Sequence, residues 1–333
     1  MKIGKLDTAD HVFVVAEIGN NHEGDFGRAK DMVQRAVDSG VDAVKFQTFK
    51  TEWFTSPTDP ARIKRLKGFE LTYDQFAELA ELTKSLGAMF MSTPFELESA
   101  RFLRTICDAL KIASGDNDYW DLVRACAETE LPLIVSSGMS TLEETRKLVG
   151  FLREVRPKST SFALLHCVSA YPAPPEQANL RAIPLLAREL GCEVGYSDHT
   201  LGIETCTAAV ALGARVIEKH FTLSHTLSDF RDHQLSADPA EMTELVKRIR
   251  RVEPLLGEGV KALQPGEVEV ARAARRSAAA SRDLKQGHVL TKEDLVFLRP
   301  GTGIRPGEEG SLLGKKLARD LAFGTLFSAD VLA

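Results

Sequence analysis

A regular alternation of short apolar runs and amphipathic stretches constrains the fold of this chain more than any other feature. Eight apolar runs of five to seven residues each precede a helical pattern, and they occupy residues 12–18, 43–47, 89–93, 109–113, 133–137, 162–167, 193–197 and 215–220. Strands that are apolar throughout and alternate with helices are typical of a parallel sheet covered on both faces. Eight such units within about 250 residues predict the α/β class and a closed (β/α)8 TIM barrel.

An open, doubly wound sheet is the alternative to the barrel. That fold places a GxGxxG turn after its first strand, whereas residues 19–27 read GNNHEGDFG. Two local expectations accompany the barrel. The residues between the second strand and the helical pattern at 73–87 form a loop, and Pro184 interrupts the helix that follows the sixth strand.

The sequence pattern changes near Glu253, where glycine and proline breaks replace the long periodic segments. We predict a barrel domain over 1–253, a linker over 254–275 and a small, loop-rich β domain over 276–333. The linker ends in a cluster of Arg272, Arg275 and Arg276. The cluster is interpreted as a solvated linker or helix face, with a domain or phosphate contact as the alternative.

Composition excludes several classes of protein. The chain has 42 basic and 47 acidic residues and a formal charge of −5, which argues against nucleic-acid binding. No stretch approaches the roughly 20 apolar residues of a membrane span, and the N-terminus does not have the pattern of a signal peptide. The five cysteines lack CxxC spacing and are interpreted as reduced thiols. We therefore expect a cytoplasmic protein without membrane or nucleic-acid partners.

Polar residues stand at the carboxyl end of every predicted strand, where a TIM barrel carries its chemistry. They are Glu17, Lys45, Gln47, Ser92, Thr93, Lys111, Ser114, Ser136, Ser137, His166, Ser169, Tyr171, Ser197, Asp198, His199, Glu218, Lys219 and His220. Burying an unpaired charge costs several kcal/mol, so these groups are expected to face one another or a ligand. Cys167 lies among them, as a packed thiol or, alternatively, as a nucleophile.

Two ligand hypotheses follow from the strand ends. His199 and His220 come from neighbouring strands, which lie about 4.8 Å apart, so they could share one divalent ion such as Mn²⁺. The alternative is a pair of imidazoles hydrogen-bonded in a polar cavity.

Lys45 and Lys111, with nearby hydroxyls, could hold a phosphate or carboxylate. The alternative pairs these lysines with Glu17 or Glu218 in an internal ion network.

At these residues the sequence resembles the sialic acid synthases, which condense phosphoenolpyruvate with an N-acylated amino sugar. The matching motifs, in chain order, are AEIGNNHEGD (16–25), DAVKFQTFK (42–50), MSTPF (91–95), LKIASGD (110–116), SSGM (136–139), HCVSAYPAPPEQANLRAI (166–183), GYSDHT (195–200) and IEKHFTL (217–223). The segment from Arg275 to Ile304 resembles the antifreeze-like (SAF) domain of that family. The resemblance covers nearly the whole chain.

The resemblance implies roles for individual positions. Catalytic positions are Glu17, Lys45 and Glu218. Metal ligands are His199 and His220, for Mn²⁺ with Mg²⁺ or Co²⁺ as alternatives. Phosphoenolpyruvate is held by Lys111, Ser114, Ser136 and Ser197. The remaining substrate-binding positions are Gln47, Thr93, Phe95, Ser169, Tyr171, Asp232 and, from the small domain, Arg299.

The resemblance also implies a reaction and an assembly. The amino sugar reacts in its open-chain form to give a nonulosonic acid and phosphate, and the small domain caps the partner's barrel in a domain-swapped homodimer. The resemblance leaves three candidates for the sugar substrate: N-acetylmannosamine, its 6-phosphate and the 2,4-diacetamido-trideoxy hexoses of legionaminic or pseudaminic acid synthases. Segment 51–72 is shorter than in most relatives, and Ser169 replaces a common asparagine. Alternative functions are a 3-deoxy-heptulosonate synthase and a non-catalytic sugar-binding or ice-binding protein.

Overall fold

The computed structural model describes residues 1–156 and 161–333. The chain divides into two compact units, Met1–Gly257 and Glu258–Ala333. The first unit contains a closed barrel of eight parallel strands in sequential order. The barrel strands are β1 (Phe13–Gly19), β2 (Ala43–Thr48), β3 (Met89–Pro94), β4 (Ala109–Ile112), β5 (Leu133–Ser136), β6 (Phe162–Cys167), β7 (Glu193–Asp198) and β8 (Val216–His220). The predicted TIM barrel is confirmed.

Helices connect the strands on the outside of the barrel. They are α1 (Phe26–Asp38), α2 (Thr51–Phe54), α3 (Pro60–Phe69), α4 (Tyr73–Ser85), α5 (Leu97–Leu103), α6 (Trp120–Ala127), α7 (Leu142–Val155), α8 (Ala182–Leu190), α9 (Glu204–Ala211), α10 (Asp232–Leu235) and α11 (Pro239–Leu256). In α1 the buried residues Ala29, Met32, Val33 and Ala36 follow helical spacing, and Asp25 caps the first turn. The helices therefore bury one apolar face against the strands.

Two local expectations about the connections were wrong. Segment 51–72 contains the helices α2 and α3, because Asp59 caps a helix that starts with Pro60 at its first position. Pro184 does not interrupt α8, because the helix begins only at Ala182. Proline is tolerated in the first turn of a helix, where the amide N–H lacks an intrahelical acceptor in any case.

The strand period of two divides the barrel interior into an apolar layer and a polar layer. The interior cluster consists of Ile3, Phe13, Val15, Ala43, Met91, Ala109, Ile134, Ala163, Leu165 and Val216. Two residues further along their strands, on the same face, Val15 is followed by Glu17, Ala43 by Lys45 and Val216 by Glu218. An N-terminal hairpin, residues 2–3 paired with 6–7, contributes Ile3 to the apolar layer. The charged groups therefore meet at the carboxyl ends of the strands.

A buried ion pair lies on the outer face of the barrel. Lys219 of β8 and Asp198 of β7 are register partners, and Lys219 Nζ lies 2.9 Å from Asp198 Oδ2 with both side chains almost fully buried. Lys219 also donates to the Thr200 carbonyl at 2.6 Å, and Tyr196 donates to Asp198 at 3.2 Å. The pair links the carboxyl ends of β7 and β8. His199 directly follows Asp198 in the chain, and His220 directly follows Lys219.

The second unit is rich in loops and has its own core. Two antiparallel strands, β9 (Ser277–Ala280) and β10 (Leu295–Leu298), pair across their full length. Its buried cluster consists of Ala278, Ala280, Leu284, Leu290, Leu312, Leu317, Leu321, Phe327 and Val331. A helix, α12 (Val268–Ala274), precedes β9 within the predicted linker. The described part of the chain has no helix long and apolar enough to cross a membrane.

Replacing Lys219 by methionine is expected to destabilise the barrel by about 3–5 kcal/mol, because it leaves the Asp198 carboxylate buried without its counter-ion. The matched control is Lys30→Met. The Lys30–Glu78 pair is exposed on the surface at 3.1 Å, so its loss should cost less than about 1 kcal/mol. Urea denaturation of both variants measures the difference, and equal midpoints would contradict a structural role for the buried pair.

Candidate active site

A cavity of about 50 Å³ lies inside the barrel at the carboxyl ends of the strands. It is lined by Glu17, Lys45, Gln47, Thr93, Phe95, Lys111, Ala113, Ser114, Ser136, Cys167, Tyr171, Ser197, His199, Glu218 and His220. We call this the mouth cavity. The catalytic, metal-binding and substrate-binding positions expected from the resemblance all lie in this set except Ser169, Asp232 and Arg299.

The positive charge of Lys45 is compensated by two buried carboxylates. Its Nζ lies 2.7 Å from Glu17 Oε2 and 3.6 Å from Glu218 Oε2, and it donates to Thr93 Oγ1 at 3.2 Å. Burial alone would lower the pKa of Lys45, but Glu17 and Glu218 raise it above its ordinary value. Gln47 donates to the other oxygen of Glu17 at 3.0 Å. Lys45 is therefore a stable cation inside the barrel.

Lys111 has a different environment. Its nearest carboxylate is Glu218 Oε1 at 3.8 Å, which Ser197 also contacts as a donor at 2.9 Å. Burial lowers the pKa of Lys111, the attraction of Glu218 opposes that shift, and the repulsion of Lys45 adds to it. The net effect is a lowered pKa, so the charge of Lys111 is under-compensated. An anion bound beside Lys111 would restore the balance.

The two carboxyl groups also differ. Burial raises the pKa of Glu17, and the attraction of Lys45 only partly opposes that shift. Burial alone would raise the pKa of Glu218 as well. Lys111, Lys45 and the Ser197 hydroxyl outweigh that effect and lower its pKa below the ordinary value. Glu218 therefore holds its negative charge, whereas Glu17 is the carboxyl group that takes up a proton more readily.

Hydroxyl groups surround Lys111 on the other side of the cavity. Lys111 donates to Ser136 Oγ at 2.6 Å. Ser114 Oγ accepts from the Gly138 N–H at 3.1 Å and lies 3.0 Å from Cys167 Sγ. Burial raises the pKa of the Cys167 thiol, so this residue is a packed thiol rather than an activated nucleophile.

The two imidazoles of the mouth cavity have the properties of metal ligands. Their ring centroids lie 5.5 Å apart. His199 Nδ1 lies 2.8 Å from the Val168 carbonyl, which orients its Nε2 as an acceptor. Burial lowers the pKa of both rings, and each neutral imidazole keeps a lone pair for coordination. Within the described residues the His220 ring makes no hydrogen bond. The donor set therefore fits a divalent ion.

Another cluster of candidate metal ligands, His225, Asp238 and Glu241, lies outside the mouth cavity. Asp238 and Glu241 form the capping box of α11, in which each side chain accepts a backbone N–H of the other residue. His225 Nε2 lies 3.0 Å from Glu241 Oε2. Helix capping and one ion pair account for this cluster, so it is not a second metal candidate.

Three predicted residues lie outside the mouth cavity. Ser169 packs over Gly138, where an added Cβ would lie 2.5 Å from its hydroxyl, and the hydroxyl has no hydrogen-bond partner among the described residues. Asp232 lies at the start of α10 and helps to raise the pKa of Tyr171, an effect due mainly to burial. Arg299 is exposed in the second unit, directly after β10.

Residues that hold the loop after β1 were not predicted from the sequence. Asn20 donates to Gln47 at 2.8 Å, and Asn21 donates to the Phe221 carbonyl at 2.8 Å. His22 is buried and accepts the Gly24 N–H at 3.0 Å. All three belong to the AEIGNNHEGD motif, but no pattern in a single sequence distinguishes an amide that positions a neighbour from one that faces solvent.

Comparison with known proteins identifies both units. Residues 32–261 match the NeuB family, and residues 275–333 match the SAF domain. The N,N'-diacetyllegionaminic acid synthase of Legionella pneumophila is 43% identical over 329 residues, which cover 94% of this chain and 92% of that protein. The N-acetylneuraminate-9-phosphate synthase of Homo sapiens is 32% identical over 321 residues, covering 92% and 88% of the two chains.

Solved structures agree with these matches. The crystal structure of an N-acetylneuraminic acid (sialic acid) synthetase from Leptospira borgpetersenii, in complex with citrate, superposes with a TM-score of 0.76 at 35% identity and covers 81% of this chain and 94% of that one. A truncated 3-deoxy-D-arabino-heptulosonate 7-phosphate synthase from Thermotoga maritima has a TM-score of 0.62 at 15% identity, covering 77% and 92%, and shares the fold alone. The chain therefore belongs to the NeuB family and carries a C-terminal SAF domain.

Proposed function

We propose that this protein condenses phosphoenolpyruvate with the open-chain form of an N-acylated amino sugar, giving a nonulosonic acid and phosphate. The observation that carries the proposal is the under-compensated Lys111, which lies in the same cavity as the neutral His199 and His220. An anion-binding half and a metal-binding half in one buried cavity are what this condensation needs. Relatives named as legionaminic and N-acetylneuraminate-9-phosphate synthases support the same reaction.

Phosphoenolpyruvate binds on the Lys111 side of the cavity. Lys111 supplies the charge, and Ser114, Ser136 and Ser197 supply hydroxyl donors. The backbone N–H of Gly138 lies next to Ser114, where a side chain on Gly138 would collide with Ser114, Cys167 and Ser169. Glycine at this position therefore lets the backbone pack against these side chains and donate its N–H to Ser114 Oγ.

His199 and His220 would hold a divalent cation, Mn²⁺ by their donor type. When bound, such an ion supplies Lewis-acid polarisation of the sugar's aldehyde oxygen. The chain's own residues orient the substrates around it. The ring centroid of Tyr171 lies 4.2 Å from that of His199, and Gln47, Thr93 and Phe95 line the same cavity.

The reaction then balances without a further co-reactant. The C2=C3 π electrons of phosphoenolpyruvate form a C–C bond to the aldehyde carbon C1, the C1=O π bond breaks, and the aldehyde oxygen takes up the proton that Glu17 removes from water. That water adds to the oxocarbenium-like C2, the C2–O bond to phosphate breaks, and the second water proton leaves with the phosphate. Glu17 accepts the proton of that water because its pKa is raised, while Glu218 keeps both lysines charged and in place. Phosphate release from phosphoenolpyruvate with N-acetylmannosamine and Mn²⁺ tests the reaction.

We also propose that the working form is a cytoplasmic, domain-swapped homodimer in which Arg299 of one chain reaches the sugar in the barrel of the other. All five cysteines are free thiols, which fits a reducing compartment. Several apolar side chains near the point where the chain passes from the first unit to the second are exposed, namely Leu255, Val260, Leu263 and Val270. Contact with a second copy would bury them.

Activity is expected to depend on a divalent cation. Chelation should abolish turnover, and Mn²⁺ should restore it. His220→Ala should lose both Mn²⁺ affinity, measured by titration calorimetry, and activity, whereas His225→Ala should keep both because its cluster is a helix cap. A His220→Ala protein with unchanged Mn²⁺ affinity would refute the assignment of the metal ligands.

Lys111→Ala should impair phosphoenolpyruvate use far more than sugar use. Losing one charge-assisted contact to a buried anion costs roughly 1.5–3 kcal/mol, which corresponds to about ten- to hundredfold in affinity. Steady-state kinetics should show this in the KM for phosphoenolpyruvate, with Lys30→Ala as the surface control. An increase confined to the KM of the sugar would mean that the two halves of the cavity are assigned the wrong way round.

Mixed dimers of Arg299→Ala and His220→Ala should recover activity after the two inactive proteins are unfolded and refolded together. With capping in trans, a mixed dimer contains one site that has both an intact barrel and an intact Arg299. With capping in cis, each site keeps one defect. Inactive mixtures in which native mass spectrometry shows heterodimers would exclude the swapped arrangement.

A further inference from the structure

One short turn holds both backbone polar groups of Gly138. The turn, Ser114–Asp116, follows β4, and Asn117 is the residue that ends it. Ser114 Oγ accepts the Gly138 N–H at 3.1 Å, and Asn117 Nδ2 donates to the Gly138 carbonyl at 3.3 Å. Ser114 also lines the mouth cavity. The turn that supplies a hydroxyl to the cavity therefore also fixes the orientation of the backbone beside it.

Asn117 makes two further contacts with the same segment, residues 136–140, which we call the glycine loop. Its buried Nδ2 lies 3.2 Å from the Ser136 carbonyl and 3.0 Å from Ser140 Oγ. The two hydrogens of one amide group are thus shared among three acceptors. On the cavity side, Ser136 Oγ accepts from Lys111 at 2.6 Å. Asn117 itself does not line the mouth cavity, so it lies behind the groups that the proposed function assigns to phosphoenolpyruvate.

The glycine loop contains a residue in an unfavourable backbone conformation. Met139 has a φ of 60°, in the left-handed region that residues with a Cβ rarely adopt. Its side chain is 72% exposed, so side-chain packing does not hold the backbone in this conformation. Asn117 bonds the residues on both sides of it, Gly138 and Ser140. The hydrogen bonds of Asn117 therefore compensate for the strain at Met139.

The φ of Met139 and the direction of the Gly138 carbonyl change together. The planar peptide unit between the two residues contains that carbonyl, and rotating the unit changes the φ of Met139. Relaxation of Met139 to a negative φ would therefore turn the Gly138 carbonyl away from Asn117. An anion is repelled by carbonyl oxygens and attracted by N–H and O–H groups. With the carbonyls of Ser136 and Gly138 both held by Asn117, the glycine loop leaves its hydroxyl and N–H groups to the cavity side.

We propose that Asn117 is a positioning residue for phosphoenolpyruvate: by holding two carbonyls and the strained Met139, it keeps the glycine loop in the conformation that the anion needs. The inference rests on the proposed function, in which phosphoenolpyruvate binds on the Lys111 side of the mouth cavity, and it adds a residue that touches neither substrate. The imidazoles of His199 and His220 come from the ends of β7 and β8. The effect of Asn117 should therefore be confined to phosphoenolpyruvate and leave the metal ligands unchanged.

Titration calorimetry on the full-length protein tests the proposal, with Mn²⁺ titrated first and phosphoenolpyruvate titrated into the Mn²⁺-loaded protein. Asn117→Ala should weaken phosphoenolpyruvate binding about tenfold, because the loop then occupies the competent conformation only about a tenth of the time. The Mn²⁺ affinity should stay that of the wild type. Gln34→Ala is the matched control, because the Gln34 amide donates to Asp38 at 2.9 Å on the exposed surface of α1, and it should change neither affinity. Equal losses for both ligands, or unchanged phosphoenolpyruvate binding, would overturn the proposal.

A second substitution separates positioning from a general loss of structure. Glycine adopts the left-handed conformation without a steric clash, so Met139→Gly removes the strain that Asn117 compensates. The double variant Asn117→Ala/Met139→Gly should recover phosphoenolpyruvate affinity to within about threefold of the wild type. A void left by the Asn117 side chain would not be repaired by glycine at an exposed position. A double variant as weak as Asn117→Ala alone would overturn the proposed action through Met139.

If Asn117→Ala does not fold by circular dichroism, a pair of variants at the exposed Met139 decides. Met139→Ile places a β-branched residue at the left-handed position and should weaken phosphoenolpyruvate binding about tenfold, whereas the unbranched Met139→Leu should match the wild type. Equal affinities of the two variants would overturn the proposal.

The same titrations separate this inference from the proposed function. A wild-type protein that binds phosphoenolpyruvate, with Asn117→Ala binding it equally well, would overturn only the role of Asn117. A Mn²⁺-loaded wild-type protein that does not bind phosphoenolpyruvate would refute the proposed function, and this inference with it.

Discussion

Charge compensation inside the barrel is the constraint on which the rest of the site depends. Glu17 and Glu218 neutralise Lys45 at 2.7 and 3.6 Å, and Glu218 is shared with Lys111 at 3.8 Å. Isolated charges could not remain in this position, because the layer below them is fully apolar. The network leaves Lys111 the less compensated cation, and the proposed function therefore assigns the anion to the Lys111 side of the cavity.

The period of two along the strands explains why the site was largely predictable. Inward positions two residues beyond the apolar layer carry Glu17, Lys45, Lys111, Ser136 and Glu218, and the strand ends were identifiable from the apolar runs. The predicted internal ion network is present, because Lys45 pairs with both glutamates and Lys111 lies near Glu218, whereas anion binding by Lys111 stays a prediction. The barrel itself followed from eight repeats of one pattern.

Other features could not be read from the sequence, for identifiable physical reasons. Asp198 and Lys219 lie one residue away from inward positions, and a shift of one residue moves a side chain to the opposite face. They therefore form an ion pair outside the barrel rather than joining the charged layer. Helix α3 was missed because its apolar face is short, with Leu66 as its buried residue. Without that helix, the cavity lined by Arg65, Phe69 and Phe230 could not be anticipated.

The groups that the proposed reaction needs are gathered in the mouth cavity. The mouth cavity holds the groups that any condensation of phosphoenolpyruvate with an aldehyde needs, and it is built on strand ends that the barrel keeps rigid.

The fate of one oxygen atom tests the central claim most directly. The protein would be incubated with an accepted amino sugar, Mn²⁺ and phosphoenolpyruvate that carries ¹⁸O in the bridge between C2 and phosphorus. Addition of water at C2 followed by C–O cleavage predicts that mass spectrometry finds the label in the released phosphate and none in the nonulosonic acid. Label retained at C2 of the product would show P–O cleavage and would contradict the addition of water at C2 and the proposed role of Glu17.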